Sequence, residues 1–150
     1  MPRDLRALHD ALRAIVGDER CLTRPEHLLV YECDGLTHHV GSPGAVVLPD
    51  TTAEVVRLVR ACRSAGVPFV PRGAGTGLSG GAIARDGAVL IECSRMNRIL
   101  ELDPVDRVAV VQPGLINADL SKAAAPHGLF FAPDPSSQLS CTIGGNVAEN

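Results

Sequence analysis

Residues 70–81 read Val-Pro-Arg-Gly-Ala-Gly-Thr-Gly-Leu-Ser-Gly-Gly. The run holds five glycines, two hydroxyl residues, one arginine and no carboxylate. Glycine permits positive φ and puts no Cβ in front of an incoming group, so several backbone N–H donors can converge on one anion. Thr76 and Ser79 add hydroxyl donors, and Arg72 adds fixed positive charge. This is the composition of an anion-binding loop.

Working upstream, Val67-Pro-Phe-Val70 reads as a strand that feeds the loop directly. Before it, Thr51-Thr-Ala-Glu54 has capping-box spacing and opens a helix with Val55, Val56, Val59 and Cys62 at helical intervals, closed by Ala65-Gly66. Ala45-Val-Val-Leu48, stopped by Pro49, is the strand that precedes this helix. Strand, helix and strand make a β-α-β unit whose strands should run parallel. Further back, Thr23-Arg-Pro-Glu26 has capping-box spacing and introduces a short helix to Tyr31. Residues 3–16 place Leu5, Leu8, Leu12 and Ile15 on one helical face, away from most of Arg3, Arg6, Asp10 and Arg13, with Gly17 as the stop. Between these elements, residues 32–44 form a loop in which the adjacent His38 and His39 point to different sides and suit no shared metal.

Downstream, Asp86-Gly87 marks a turn and Ala88-Val-Leu-Ile91 another strand. Residues 99–102 and 107–111 flank Asp103-Pro-Val-Asp106 as a hairpin. Gln112-Pro-Gly114 breaks the chain, a helix follows over about 117–125, and Leu129-Phe-Phe131 reads as a brief strand. Residues 132–150, Ala-Pro-Asp-Pro-Ser-Ser-Gln-Leu-Ser-Cys-Thr-Ile-Gly-Gly-Asn-Val-Ala-Glu-Asn, form a second functional-looking segment. Prolines stiffen its entry, four hydroxyl residues follow, and Gly144-Gly145 again allows close backbone approach. No cap or polar tail ends the pattern at Asn150, which gives the expectation of the front part of a longer protein.

Composition narrows the function. Fourteen Lys+Arg against 17 Asp+Glu give a formal charge of −3, and aromatics make up 3% with no Trp. Such a chain lacks both the basic field and the stacking platforms of a nucleic-acid binder. The first residues alternate charge with isolated leucines, so neither a signal-peptide h-region nor a transmembrane segment is expected. The expectation is a cytosolic protein, at most peripheral to the inner face of the membrane. The cysteines at 21, 33, 62, 93 and 141 are odd in number and contain no C-x-x-C pair, which argues against a disulfide framework and a zinc site and for reduced thiols near the core.

Two familiar phosphate loops fail in context. Gly75-Thr-Gly77-Leu-Ser-Gly80 matches G-x-G-x-x-G, but the Rossmann loop must open onto a helix of several turns, and only residues 81–86 precede the next strand. The loop also follows the second strand of its β-α-β unit instead of the first. A Walker A loop needs Gly-Lys-[Ser/Thr], and the only lysine is Lys122. A plain tight connection needs one or two glycines, fewer than the five found within residues 73–81. What remains is phosphate binding without the helix.

Pro71-Arg-Gly-Ala-Gly-Thr-Gly-Leu-Ser-Gly-Gly81, Pro133-Asp-Pro-Ser-Ser and Cys141-Thr-Ile-Gly-Gly-Asn-Val-Ala-Glu-Asn150 together closely resemble the FAD-binding domain of the vanillyl-alcohol oxidase and p-cresol methylhydroxylase superfamily. The likeness is nearest to the FAD-binding subunit of glycolate oxidase and to D-lactate and D-2-hydroxyglutarate dehydrogenases. Leu29-Val-Tyr-Glu-Cys-Asp-Gly35, Val47-Leu-Pro-Asp-Thr-Thr52 and Met96-Asn-Arg98 support it. The resemblance implies an α+β fold of two subdomains with FAD between them. An N-terminal helical segment (1–44) would precede a first subdomain (45–110) and the start of a second, incomplete one (111–150).

By the same resemblance, Arg72, Gly73, Ala74, Gly75, Thr76, Gly77, Leu78 and Ser79 would wrap the pyrophosphate, largely through backbone N–H groups. Pro113 would lie against the cofactor, and Pro133, Asp134, Ser137, Ser140, Thr142, Gly144, Gly145 and Asn146 would line its flavin and ribityl side. Pro49 would cover the adenine end. The implied reaction is oxidation of a 2-hydroxy acid to the 2-oxo acid by hydride transfer to flavin N5, with an electron acceptor or partner subunits to follow. Relatives often carry Gly at position 74, so Ala74 fits only if its φ is negative. Some members attach FAD through a histidine in this loop; residues 71–81 contain none, so the expected FAD is non-covalent. The family's substrate domain lies beyond residue 150, so no catalytic acid or base is assigned, and Glu32, Asp34, Asp134 and Glu149 read as solvated or capping carboxylates. Alternatives are a flavin-binding fragment without activity of its own, or an FAD-linked oxidase for another substrate, such as a sugar lactone or a peptidoglycan precursor.

Overall fold

The computed structural model describes residues 5–85 and 87–149. Positions 3 and 4 of the expected first helix, Asp86 of the Asp-Gly turn and Asn150 of the last motif lie outside the described residues. The amphipathic N-terminal pattern forms α1 (Leu5–Val16), which buries Leu8, Leu12 and Val16. Gly17, at φ 85°, closes it with its N–H on the Arg13 carbonyl. A two-residue strand, β1 (Cys21–Leu22), and a short helix, α2 (Pro25–Leu28), follow. The expected capping box at Thr23 does not form. Arg24 takes the N-cap position without a side-chain bond, Pro25 supplies the first helical φ, and the Thr23 hydroxyl instead accepts from Arg13 Nη2 at 2.9 Å.

Four elements build the main layer: β2 (Ala45–Val47), α3 (Thr52–Ser64), β3 (Phe69–Arg72) and β4 (Val89–Glu92). The sheet order is β1-β2-β4-β3, antiparallel at β1 and parallel elsewhere. The two strands of the β-α-β unit therefore do not touch, because β4 inserts between them and pairs in parallel with both. Uninterrupted apolar runs in β2 and β4 follow from burial on both faces. Ala45, Val47, Val89 and Ile91 pack with α1 and with Leu58 and Cys62 of α3, while Val46 and Leu90 pack on the opposite side with Leu28, Ala84 and Ala88. At the start of α3, Thr51 Oγ1 accepts from Glu54 N at 3.2 Å, as the capping spacing requires. Glu54 and Asp50 both take Arg20, tying the edge strand to this helix.

A hairpin of β5 (Ile99–Asp103) and β6 (Val108–Val111) follows. Its turn is held by Asp103 Oδ1, which accepts from Val105 N and Asp106 N, and Arg107 completes it at φ 57°. Then come α4 (Asn117–Ala124) and α5 (Ile143–Glu149). Leu115, Leu120 and Ile143 form a smaller second core with Ile99, Ala109, Val111 and Phe131 packed on it. The expected strand at 129–131 is absent: this stretch bonds back onto α4, with Leu129 N on the Ala124 carbonyl and Phe131 N on Ser121 Oγ. No helix among the described residues is long and apolar enough to cross a membrane.

The thiols are all unpaired, with Cys21, Cys62 and Cys141 buried. Burial pushes the Cys62 thiol up to about 11, so it carries no nucleophilic thiolate at neutral pH. Leu58 is fully enclosed between α1 and the sheet. Leu58→Ala is expected to lower unfolding free energy by about 2–5 kcal/mol, read as a lower midpoint in urea with an unchanged slope; a cost well under 1 kcal/mol would contradict this packing.

Candidate functional site

β3 delivers the glycine loop at the edge of the sheet, with Arg72 as its last strand residue. Arg72 is only 8% exposed. Its Nη2 donates to the Cys33 carbonyl at 2.8 Å and its Nη1 to the Ala82 carbonyl at 3.1 Å, and the guanidinium lies 5.7 Å from the Tyr31 ring centre. The charge thus sits beneath the loop and braces it. Glu92, paired in register with Arg72, is also buried; burial raises its pKa, opposed by the hydrogen bonds from Ser94 and by the Arg72 charge.

Gly75 adopts φ 69°, and a Cβ there would collide with the Arg72 guanidinium, so both conformation and space require glycine. Ala74 has no positive φ; Arg107 is the single non-glycine residue with one among the described residues. The alanine is therefore accommodated without strain. Among the described residues, no acceptor takes the backbone N–H groups of residues 73–79. The loop's carbonyl side is engaged instead, with Gly77 O accepting from Gly35 N at 3.0 Å. A row of donors without acceptors on an otherwise braced loop is suited to bind an anion.

The second segment meets this loop. The Thr142 hydroxyl lies where a Cβ on Gly73 would project, and it accepts from Gly145 N at 3.3 Å. Gly144 N donates to the Pro113 carbonyl at 2.8 Å, and a Cβ on Gly144 would come within 2.8 Å of the Pro113 ring. Residues 73, 113, 142, 144 and 145 are therefore held by direct contacts between the two motifs and the turn after β6. Asn146 Nδ2 is buried with no partner, a donor awaiting an acceptor.

Pro133, Asp134, Ser137 and Ser140 belong to a loop that is fastened to α4. Pro133 O accepts from Asn117 Nδ2, Ala118 N donates to Gln138 O, and Ser137 O accepts from Ser140 N and Cys141 N. Asp134 lines a shallow cleft of about 260 Å³ with Ser121, Phe130 and Gln138. Pro49 is fully buried and offers no surface to a ligand, contrary to the expectation that it covers an adenine. His38 and His39 are exposed.

Sequence reasoning did not foresee the placement of Glu149. Its carboxylate accepts from Ser79 Oγ at 2.8 Å and stands 3.6 Å from where a Gly77 Cβ would be. It is an exposed negative charge at the mouth of the donor row. The spacing between positions 79 and 149 gives no hint of this contact, since α5 alone sets the direction of Glu149.

An α+β domain whose two glycine segments close on one another defines a class of cofactor-holding domain. Residues 43–150 match the family described as "FAD binding domain", and the chain belongs to that family. It is 49% identical over 140 residues to the glycolate oxidase subunit GlcD of Escherichia coli K12, covering 93% of this chain and 28% of that protein. It is 38% identical over 144 residues to a D-2-hydroxyglutarate dehydrogenase of Stutzerimonas stutzeri, covering 96% and 31%. The chain thus spans less than a third of the length of these curated relatives. Among solved structures, alkyldihydroxyacetonephosphate synthase superposes with a TM-score of 0.86 at 23% identity over 95% of this chain and 29% of that one. A crystal structure of p-cresol methylhydroxylase with substrate bound gives 0.76 at 22% identity over 86% and 26%. The fold is that of the p-cresol methylhydroxylase type of FAD-binding domain, as expected.

Glu149→Gln keeps an acceptor for Ser79 and removes the charge facing the donor row. FAD titrated into the deflavinated full-length protein should then bind about two- to fivefold more tightly at low ionic strength, with the gain shrinking as salt rises. Weaker binding in the Gln variant would show that the carboxylate supports the cofactor.

Proposed function

We propose that this chain is the cofactor-holding part of a flavin-dependent oxidoreductase that converts a 2-hydroxy acid, glycolate or D-lactate, to its 2-oxo acid. The observation that carries the reading is the row of unaccepted N–H groups at residues 73–79, closed against the second glycine segment through Gly73 and Thr142. The relatives' names, a glycolate oxidase subunit and a D-lactate dehydrogenase that is 40% identical over 108 residues, support the substrate class.

The residues present fit the group. Backbone donors of Gly73, Gly75, Thr76, Gly77 and Leu78 would hold the pyrophosphate, with the Arg72 charge beneath them and Ser79 at the rim. Ala74 keeps the turn compact. Pro113, Thr142, Gly144, Gly145 and the unpartnered Asn146 amide would face the flavin and ribityl side, together with Pro133, Asp134, Ser137 and Ser140 on the adjoining loop. In this reading residues 1–44 are the N-terminal helical segment, 45–110 the first FAD-binding subdomain and 111–150 the start of the second. Bound FAD would supply, at flavin N5, the acceptor for the hydride leaving C2 of the substrate. This chain's residues bind and orient that cofactor by fixed dipoles, and non-covalently, since residues 71–81 contain no histidine. The base that takes the hydroxyl proton, the substrate pocket and the electron acceptor or partner subunits belong to the remainder of the protein.

A second reading, a flavin-binding piece inactive by itself, is favoured by the 28% share of the glycolate oxidase subunit that the chain spans. The 150 residues alone are then expected to give no turnover where the full-length protein does.

Full-length protein should purify yellow and lose its flavin absorbance when mixed anaerobically with glycolate or D-lactate. Bleaching by a different substrate class only would overturn the hydroxy-acid assignment. Gly77 has ordinary φ, and a Cβ there meets only Glu149 at ordinary contact distance. The Cβ of Gly77→Val thus has Glu149 atoms as its nearest neighbours, and in this reading the side chain fills the space in front of the donors, so the variant should purify folded and colourless. A Val variant that retains normal FAD would refute the pyrophosphate assignment.

A further inference from the structure

We propose that Asp34 is a positioning residue for the pyrophosphate cradle: its carboxylate sets the loop geometry that turns the N–H donors of residues 73–79 outward. The inference rests on the reading of that loop as the pyrophosphate site.

Asp34 is only 6% exposed, unusual for a carboxylate without a cationic partner in contact. Its Oδ1 accepts from Leu36 N at 2.8 Å, closing a local turn, and its Oδ2 accepts from Gly80 N at 3.0 Å, 46 residues away. The flanking residues hold the same loop. Cys33 O accepts from Arg72 Nη2, and Gly35 N donates to Gly77 O. A Cβ on Gly35 would stand 2.7 Å from Thr76 O and 3.0 Å from Gly77 O. Residues 33–35 therefore grip the loop at its entry, its middle and its exit.

The direction of the grip decides the donors. A trans peptide unit points its N–H opposite to its C=O. With the carbonyl of Gly77 held against Gly35, the N–H of Leu78 in the same unit is aimed away from the brace. The Thr76 carbonyl also lies against Gly35, which turns the Gly77 N–H the same way. Asp34 fixes the far end at Gly80, the residue at φ 77° where the loop reverses. Without that anchor the loop regains conformations in which the donors no longer converge, and ordering them again opposes binding.

The test uses deflavinated full-length protein with Asp34→Ala, Asp34→Asn and Gly35→Ala. Asp34→Ala removes both acceptors, whereas Asn keeps one, so the loss of FAD affinity should be larger for Ala, ~10-fold or more, and intermediate for Asn, as for hydrogen bonds to a charged group. Gly35→Ala, which pushes on the Thr76 and Gly77 carbonyls, should weaken binding without touching the carboxylate. ADP affinity should fall by the same factor as FAD affinity. At saturating FAD, the absorption spectrum of the bound flavin should superpose on that of wild type. In the cofactor-free protein, amide exchange of residues 76–82 should accelerate in the Asp34 variants while α3 stays protected.

Unchanged affinity in Asp34→Ala would overturn the proposal, as would tighter binding in Asp34→Asn, which would make the carboxylate a repulsive charge. An altered flavin spectrum, or exchange that rises throughout the domain, would replace positioning with a general structural role. Wild-type protein that binds neither FAD nor ADP would instead remove the pyrophosphate reading itself.

Discussion

The site depends on how the glycine loop is braced: the Gly77 carbonyl is held by Gly35 N, while the N–H groups of residues 73–79 have no acceptor among the described residues. A backbone polar group without a partner is costly wherever water is excluded. Residues 73–79 are half-buried or exposed, so water can take their donors, and the loop is held in place by neighbouring polar groups. Three devices do this: the Arg72 guanidinium on the Cys33 and Ala82 carbonyls, Gly35 N on the Gly77 carbonyl, and the Asp34 carboxylate on Gly80 N. Two of the three come from residues 33–35, and the third, Arg72, belongs to the strand that opens the loop.

The two cores serve this loop in different ways. The first, between α1, α3 and the sheet, fixes where β3 ends and thus where the loop begins. Inserting β4 between β2 and β3 puts β3 at the sheet edge, where its loop can reach residues outside the sheet. The second core, around Leu115, Leu120 and Ile143, places the Thr142 to Gly145 turn against Gly73. The isolated bridge between Ile116 and Thr142 and the bond from Ile143 N to Leu115 O keep that turn beside Pro113. Asn117, almost fully buried, contributes by holding the Pro133 carbonyl, which fastens the proline-rich loop to the start of α4.

Much of this was legible beforehand because its causes are local. Apolar periodicity set α1 and α3, the Thr51 hydroxyl capped α3 as its spacing demands, and continuous apolar runs marked strands covered on both faces. The misreadings have tertiary causes. Thr23 has the spacing of a cap, yet Arg13 from α1 claims its hydroxyl; Leu129-Phe-Phe131 has strand composition, yet the N–H groups of Leu129 and Phe131 bond back onto α4. Pro49 was expected at a ligand face and is sealed in the core by the elements around it.

The sequence by itself determined the composition of the loop, since five glycines, two hydroxyls and an arginine without a carboxylate supply donors and no acceptor charge of their own. It also argued against the Rossmann arrangement, because only residues 81–86 separate the motif from the next strand, too few for the helix that arrangement needs. Only the tertiary structure decided where the charged side chains stand around that loop. Arg72 went beneath the loop, Asp34 behind it and Glu149 to its mouth, because each position is set by partners 10 to 70 residues distant in the chain. Residue type fixes what a side chain can donate or accept; its direction is settled by packing between elements, which no local pattern encodes.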